Sequence, residues 1–473
     1  MLSQALGIAA TGHAETSRAA AEILRAGGNA FDAAIGALAA ACVAEPLMVS
    51  LAGGGFLLAR TGAGKARVYD FFCQTPARKQ PEPEVDFFPI IANFGEDTQE
   101  FHMGMGAMAV PGCVAGMFRV HRDLGRMPMA DVLAPAVDLA RQGVCMDTLQ
   151  HYIVRILEAL LRADRALFNL FESPSRPGEL IGTGEIMRNP ALADLATYRV
   201  ELRDPLRFSH GGAHRLINPP PSPGGCLTAF VPALLGEWLP RNGTGASHWG
   251  EPGHVRALVR ALRAASLAQE DALLRLLARE NLARWHSEVQ WDNLFSRGTT
   301  HISIADRAGN VASLTASNGE GNTYVLPGTG IILNNMLGEE DLNPGGFHRW
   351  RENSRLASMM SPMIAECPDG SVLALGTGGS NRIRSAMCQV LVNILDFGLP
   401  LSAAVEAPRL HLERKQLSIE AGFGEPTLRD LRAQLPTLHE WPALNQFFGG
   451  VHSVRFSARG RFEGAGDPRQ ALR

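Results

Sequence analysis

The chain has 473 residues, of which 46% are hydrophobic, enough for the core of one large domain or two ordinary ones. Its net charge of -3, without a long run of like charges, excludes the basic surface that nucleic acid or an anionic membrane would need. Seven cysteines, odd in number and never spaced as CxxC, indicate reduced thiols and exclude a disulfide framework or a zinc site.

The N-terminus and the histidines bear on location and cofactors. The first residues carry no basic region followed by a long apolar stretch, so we expect a cytoplasmic protein, or a periplasmic or secreted one if a leader has been removed. The longest apolar run, residues 33–44, is too short to span a bilayer. Because the 14 histidines show no HxH or HExxH pattern, we expect no metal and no organic cofactor.

The N-terminal part predicts two helices followed by a β-hairpin. Apolar residues recur every three or four positions over residues 15–26, which is typical of an amphipathic helix. Asn29 is placed to cap a second helix over residues 30–43, whose alanines permit close packing. Two apolar stretches, residues 56–60 and 66–71, flank a turn and predict a hairpin.

The segment that follows predicts a long loop and then helices, without recognisable chemistry. The loop is rich in proline and phenylalanine, extends to about residue 108 and could line a cleft. Amphipathic helices are predicted over residues 114–123, 130–141, 147–163 and 252–285. Residues 290–298 form the expected linker to the second half of the chain.

A second β-hairpin is predicted directly after this linker. Polar and apolar residues alternate over residues 299–305, a turn follows at Asp306, and a second alternating run covers residues 311–317. The C-terminal part predicts a hairpin of residues 362–365 and 371–375, a helix over 382–394, a strand near 409–412, a helix near 427–435 and a hairpin within 451–464.

Thr299, the first residue of the second hairpin, suggests chemistry if the chain is cut between Gly298 and Thr299. A free α-amino group, with a solution pKa near ~8, would then lie a few bonds from the threonine hydroxyl. The uncharged amine can accept the hydroxyl proton, so one residue supplies both the nucleophile and the base. Glycine before the cut fits, because it tolerates a strained turn best.

Five ordered motifs in this half of the chain resemble the γ-glutamyltranspeptidases, which are N-terminal-nucleophile hydrolases. They are the Thr299-Thr300-His301 start, the DxxGN turn at Asp306, residues 330–335, residues 358–362 and Gly378-Gly379-Ser380. Weaker similarity covers residues 194–201 and 218–225. The resemblance implies an α+β fold, a four-layer αββα sandwich, in which a large subunit (residues 1–298) and a small catalytic subunit (residues 299–473) form one compact unit.

The resemblance also implies roles for particular residues. Thr299 would be the nucleophile and its own base. Ser317 lies where the family has a threonine whose hydroxyl touches the nucleophile's amine. Gly378 and Gly379 precede a predicted helix, so their N–H groups could face a developing oxyanion. The substrate would be a small acyl-amide molecule. The resemblance leaves open whether the protein forms a homodimer.

Two departures from the family pattern bear on the substrate. Phe72 lies where the transpeptidases have an arginine that pairs with the substrate's α-carboxylate, and phenylalanine cannot form that ion pair. Of two adjacent carboxylate-binding serines, Ser358 is retained but the other is Met359. We therefore expect a less polar or differently charged amide to be preferred over glutathione.

Two further residues are candidates for substrate binding. Glu339 aligns with the family's acid for the substrate's α-ammonium, while Met336 replaces a glutamine. Asn318 is a candidate for a polar contact with the substrate. If the alignment has no gap, however, the family's asparagine corresponds to Gly319. His301 is expected to be structural, because alternation directs it away from its neighbours on the strand.

Two alternatives remain from the sequence. The chain could be an unprocessed relative that serves as a binding protein without catalysis. A serine amidase that uses Ser303 is a weaker hypothesis, because we expect the strand geometry to provide no base for that hydroxyl.

Overall fold

The computed structural model describes residues 5–93, 98–189, 191–192, 201–210, 213–217, 223–238, 249–267, 298–343, 345–413, 416–435 and 437–470. Its strands are β1 (Gly7–Thr11), β2 (Gly54–Arg60), β3 (Ala66–Asp70), β4 (Phe88–Asn93), β5 (Thr98–Met103), β6 (Val144–Cys145), β7 (Ile186–Met187), β8 (Glu201–Arg203), β9 (Leu206–His210), β10 (Ala213–Ile217), β11 (Thr300–Asp306), β12 (Val311–Ser317), β13 (Val325–Leu326), β14 (Ile331–Ile332), β15 (Met363–Glu366), β16 (Val372–Gly376), β17 (Leu410–Glu413), β18 (Gln416–Glu420), β19 (Leu438–Trp441), β20 (His452–Phe456) and β21 (Phe462–Ala465).

The helices are α1 (Ala14–Arg25), α2 (Ala30–Ala44), α3 (Cys113–Leu124), α4 (Met129–Gln142), α5 (Thr148–Ile156), α6 (Glu158–Leu161), α7 (Arg165–Leu170), α8 (Pro223–Trp238), α9 (Pro252–Leu267), α10 (Arg382–Leu395), α11 (Leu401–Glu406) and α12 (Glu425–Gln434). No helix within these described ranges is both long and apolar enough to cross a bilayer.

Two six-stranded antiparallel sheets form the centre of the molecule. The first has the strand order β1-β11-β12-β2-β3-β8, and the second has the order β21-β20-β16-β15-β10-β9. The sheets contact each other through β11 with β20 and β12 with β16, while α2 packs on the first sheet and α8 and α10 pack on the second. This arrangement is the four-layer αββα sandwich that the family resemblance implied.

Helix α2 is buried at every position, because its alanines allow neighbours to approach from all sides. Asn29 and Asp32 form a capping box at its N-terminus. The Asp306 carboxylate accepts a further hydrogen bond from the Ala30 N–H at 2.9 Å. The turn between β11 and β12 is therefore tied to the start of the helix that covers their sheet.

Alternation along β11 and β12 directs one set of side chains to each side of the first sheet. Ile302, Ile304 and Leu314 join the core beneath α2. The opposite face is polar: the His301 ring contacts the hydroxyls of Thr315 and Ser303, each at 2.8 Å. From the same face, the Ser303 and Ser313 hydroxyls donate to backbone carbonyls of the second sheet, those of His452 and Leu375. The central hairpin is thus held by an apolar core on one side and by hydrogen bonds, within and between the sheets, on the other.

Two predictions about the N-terminal half were wrong. The loop after residue 71 contains the paired strands β4 and β5, whose alternation is interrupted by Pro89. The single helix predicted over residues 147–163 is divided into α5 and α6 at Leu157, and α7 follows. The start of α7 had a signal in the sequence, since the Asp164 side chain caps it by accepting from the Ala166 N–H at 2.8 Å.

Several predictions fall on residues outside the described ranges. These are most of the segments 194–201 and 218–225, the part of the predicted 252–285 helix beyond Leu267, and the linker up to residue 297. The description resumes at Gly298, immediately before the predicted nucleophile.

Candidate active site

Thr299 directly precedes β11. The Thr299 side chain is 6% exposed, and its hydroxyl donates to the carbonyl oxygen of Gly298 at 2.8 Å. Gly298 fits tightly, because a Cβ at that position would lie 2.7 Å from the Gly319 carbonyl oxygen and 3.1 Å from that of Leu47. The junction is therefore held in a narrow, largely buried passage.

Ser317 ends β12 and faces Thr299 across the hairpin. The antiparallel register pairs Thr300 with Ala316, so the next residues outward on the two strands are neighbours. The Ser317 hydroxyl donates to the Gly298 carbonyl oxygen at 2.7 Å and accepts from the Gly319 N–H at 3.0 Å. Two hydroxyls thus converge on one carbonyl oxygen, that of the residue before Thr299.

Gly378 and Gly379 follow β16 and approach the same junction from the second sheet. A Cβ at Gly378 would lie 2.2 Å from the Thr299 carbonyl oxygen and 3.0 Å from the Thr299 Cβ, so a larger residue does not fit there. Gly379 has φ +116°, and the next residue, Ser380, has φ +50°. The structure brings Gly378 against Thr299, and Gly379 follows it in the turn; that their N–H groups stabilise an oxyanion stays a prediction.

A cavity of about 310 Å³ opens beside Thr299. Its walls contain six of the residues predicted from the sequence, together with apolar side chains and further polar ones. The lining residues are Phe72, Thr299, Ser317, Met336, Glu339, Asp341, Leu342, Ser358, Met359, Met360, Ser380 and Ile383.

The acidic side of the cavity carries Glu339 and Asp341. Glu339 is 4% exposed, and the Asp341 carboxylate accepts from the Ser380 hydroxyl at 2.6 Å. This contact links the acidic loop to the glycine turn, because Ser380 directly follows Gly379. No role was assigned to Asp341 from the sequence, and Ser380 was named only as part of a motif, so their pairing was missed.

Another part of the cavity wall is apolar. Phe72 is buried and stacks on Phe56, with ring centroids 5.6 Å apart. Met359 is 5% exposed, and the neighbouring Ser358 hydroxyl accepts from the Met360 N–H at 3.1 Å. No arginine or lysine is among the residues that line this cavity, within the part of the chain that the structure describes.

An arginine does lie behind this apolar wall. Arg355 donates to the backbone carbonyl of Phe72, and its Nε is 3.6 Å from the Asp70 carboxylate. Burial lowers the pKa of Arg355, although Asp70 opposes this effect. These contacts are with the last residue of β3 and with Phe72 just after it, so Arg355 supports the wall from outside the cavity.

Asn318 lies away from the cavity wall. Its side chain is completely buried, and its amide donates to the backbone carbonyls of Ile332 and Leu333 at 3.4 and 3.2 Å. These contacts brace the loop that follows Ser317. The structure does not bring Asn318 to the other predicted site residues, and a substrate contact by its side chain stays a prediction.

Ser303 does have an imidazole beside it, contrary to our expectation. His301 and Ser303 share one face of β11, and the His301 Nε2 lies 2.8 Å from the Ser303 hydroxyl. That hydroxyl donates to the backbone carbonyl of His452 at 3.2 Å, and both side chains are buried between the sheets. Burial also lowers the pKa of His301 well below its usual value, which makes it a poor base. The pair is therefore structural, as expected for His301.

Among the residues that the structure describes, no three His, Cys, Asp or Glu side chains are grouped so that they could hold a metal ion.

A family profile and known proteins match nearly the whole chain. The sequence profile of the γ-glutamyltranspeptidase family matches residues 16–194 and 191–472. The Acylase ACY 1 proenzyme of Pseudomonas sp. strain SE83 is 31% identical, over 97% of this chain and 91% of that protein. The glutathione hydrolase proenzyme of Escherichia coli strain K12 is 28% identical, over 98% and 90%.

A solved structure shows the same fold. The crystal structure of cephalosporin acylase from Bacillus halodurans matches with a TM-score of 0.81 at 21% identity, and the match covers 98% of this chain and 95% of that one. The sequence matches and the fold agree, and the chain therefore belongs to the γ-glutamyltranspeptidase family, as an enzyme of that family's hydrolase and acyltransferase kind.

Proposed function

We propose that the protein cleaves its own backbone between Gly298 and Thr299 and then uses Thr299, as a new N-terminus, to form an acyl-enzyme with small acyl amides. The observation that carries this proposal is the convergence of the Thr299 and Ser317 hydroxyls on the Gly298 carbonyl oxygen, at 2.8 and 2.7 Å. The matched relatives that are named proenzymes support a processing step.

Cleavage begins with attack of the Thr299 hydroxyl oxygen on the carbonyl carbon of Gly298. The Ser317 hydroxyl, already directed at the carbonyl oxygen, stabilises the negative charge that forms there. The bond between the Gly298 carbon and the Thr299 nitrogen then breaks, and the proton from the hydroxyl moves to the new amine. Water hydrolyses the resulting ester, which leaves a carboxylate on Gly298 and restores the Thr299 hydroxyl.

Turnover in the mature enzyme repeats this chemistry on a bound amide. The α-amino group of Thr299 accepts the hydroxyl proton as the oxygen attacks the acyl carbon. The Gly378 and Gly379 N–H groups are the proposed donors to the oxyanion, since Gly378 touches the Thr299 backbone. The amide C–N bond breaks, the amine leaves with the proton, and water or an acceptor amine takes the acyl group from Thr299.

The cavity walls favour acyl groups without an α-carboxylate. Phe72 and Met359 are apolar and buried where the family uses an arginine and a serine, so a carboxylate placed there would lose hydration without gaining an ion pair. Glu339 and Asp341 add negative charge to another part of the wall. We therefore propose a less polar donor, with an amino group permitted near Glu339.

Denaturing electrophoresis of the purified protein tests the processing step. Two fragments, residues 1–298 and 299–473, are expected, and N-terminal sequencing of the smaller one should begin at Thr299. The Thr299→Ala variant should stay at full length, while Thr300→Ser, one residue further on, should process normally. A single full-length band for the wild type would reject self-cleavage and favour the binding-protein alternative.

Turnover of a panel of p-nitroanilides tests the substrate class. Anilides of simple apolar acyl groups should be cleaved faster than γ-glutamyl-p-nitroanilide. A clear preference for the γ-glutamyl compound would contradict the assignment of the Phe72 and Met359 wall.

A further inference from the structure

Glu320 makes a contact that none of the steps above uses. Its side chain is 5% exposed, and its Oε1 accepts a hydrogen bond from the Gly298 N–H at 2.7 Å. Its own backbone N–H donates to the Asn335 side chain at 3.0 Å. A buried carboxylate is thus anchored against the residue whose C–N bond is to be broken.

The position of Glu320 depends on the glycine before it. Gly319 has φ +69°, and a Cβ there would lie 2.1 Å from the Asn335 Oδ1 and 2.2 Å from the Glu339 Oε1. Because Gly319 has no side chain, the loop turns tightly and directs Glu320 back towards Gly298. Two carboxylates, those of Glu320 and Glu339, therefore lie close to the same short loop beside the scissile bond.

We propose that Glu320 is a positioning residue for maturation that acts at two stages. Before cleavage, its carboxylate accepts the Gly298 N–H and holds the Gly298 carbonyl in line with the Thr299 hydroxyl. After cleavage, Gly298 carries a new carboxylate two bonds from the nitrogen that Glu320 contacts. Repulsion between these like charges then drives Gly298 out of the passage and uncovers Thr299.

The two stages make different demands on the side chain. Alignment needs an acceptor at the end of a side chain of this length, so glutamine can replace glutamate and aspartate cannot. Release needs a negative charge, because two like charges in a poorly hydrated site disfavour each other strongly, and glutamine cannot supply that charge. This inference rests on the proposed self-cleavage, and variants of Glu320 separate the stages.

The first readout is the rate of appearance of the two fragments during cell-free synthesis, followed by denaturing electrophoresis. Glu320→Ala and Glu320→Asp should slow cleavage about tenfold or more, as expected for loss of a hydrogen bond to a charged group. Glu320→Gln should cleave within about threefold of the wild type, because the acceptor is kept. Glu340→Gln, an exposed acid in the nearby loop, is the matched control and should change nothing.

The second readout is turnover per cleaved chain, measured with an apolar acyl p-nitroanilide on fully processed protein. Glu320→Gln should turn over at least about fivefold more slowly than the wild type, because Gly298 stays in the passage. Limited digestion with carboxypeptidase should remove the new C-terminus at Gly298 faster from the wild type than from Glu320→Gln.

Three results would overturn the proposal. If Glu320→Ala and Glu320→Asp both cleave at the wild-type rate, Glu320 does not align the scissile bond. If Glu320→Gln and Glu320→Ala are slowed equally in cleavage, a side-chain acceptor for the Gly298 N–H is not sufficient for alignment. If Glu320→Gln turns over substrate and is digested by carboxypeptidase at the wild-type rates, Glu320 does not drive the release of Gly298. Thermal unfolding of each variant combined with Thr299→Ala controls for folding. Failure of the wild type itself to cleave would instead reject the proposed function.

Discussion

Replacing Ser317 with alanine should slow self-cleavage by about 10²- to 10³-fold, or about 2.7–4 kcal/mol, the usual effect of losing one donor to a developing oxyanion. The full effect is expected because the other hydroxyl on the Gly298 carbonyl oxygen belongs to Thr299, which is the attacking group and gives up its proton. The variant also loses the acceptor for the Gly319 N–H, which loosens the loop beside the junction.

The assay is a time course of fragment formation after cell-free synthesis, quantified by denaturing electrophoresis. Ser317→Thr is the matched control, because it keeps the hydroxyl at the same position and should process within about threefold of the wild type. If Ser317→Ala matures as fast as the control, the Ser317 hydroxyl does not stabilise the oxyanion, and the mechanism of cleavage given above is wrong.

The remaining predictions concern the glycine turn, the cavity and pH. Gly378→Ala places a Cβ 2.2 Å from the Thr299 carbonyl oxygen, so the nucleophile must shift, and turnover should fall about 10²-fold; a fall below threefold would show that the turn adapts. Phe72→Arg combined with Met359→Ser should raise kcat/KM for γ-glutamyl-p-nitroanilide by about tenfold or more through a charge-assisted contact, and an unchanged kcat/KM would contradict the assigned wall. Burial lowers the pKa of His411 from 6.5 to about 4, so the unfolded chain binds the proton first as pH falls. The stability that this histidine contributes is therefore present above pH 6.5 and lost on acidification towards pH 4, with a loss of about 2 kcal/mol at pH 5. Urea unfolding of the uncleaved Thr299→Ala variant at pH 7 and pH 5 measures this loss of stability. Replacement of His411 by asparagine should remove that part of the pH dependence.

Long periodic elements could be predicted well from the sequence because their patterns are local. The alanine-rich α2 and the alternating strands β11 and β12 lie where they were expected. The hairpin of β4 and β5 was missed, because Pro89 and the phenylalanines concealed its alternation. The single helix predicted over residues 147–163 was wrong for a similar reason, because no glycine or proline marks the break at Leu157 between α5 and α6.

The residues of the candidate site likewise divide into those that could be predicted from the sequence and those that could not. Thr299, Ser317 and the glycine pair were named from ordered motifs, and the structure brings Thr299, Ser317 and Gly378 together. The pairing of His301 with Ser303 could also have been foreseen, because residues two apart on a strand share a face. Glu320 had no comparable signal: an acid in a polar, glycine-rich loop is usually solvated, and only its burial against Gly298 distinguishes it.

By itself, the sequence determined the hairpin of β11 and β12 through its alternation, and the ordered motifs that resemble the family implied the layered α+β fold. The same resemblance predicts Thr299 as the nucleophile and aligns Phe72 with the family's arginine. Only the tertiary structure decided that Asp341 pairs with Ser380, that Arg355 stays behind the apolar wall and that Glu320 holds Gly298. These contacts join segments from different loops and sheets. Their geometry depends on how the two sheets and their loops pack, which no local pattern encodes.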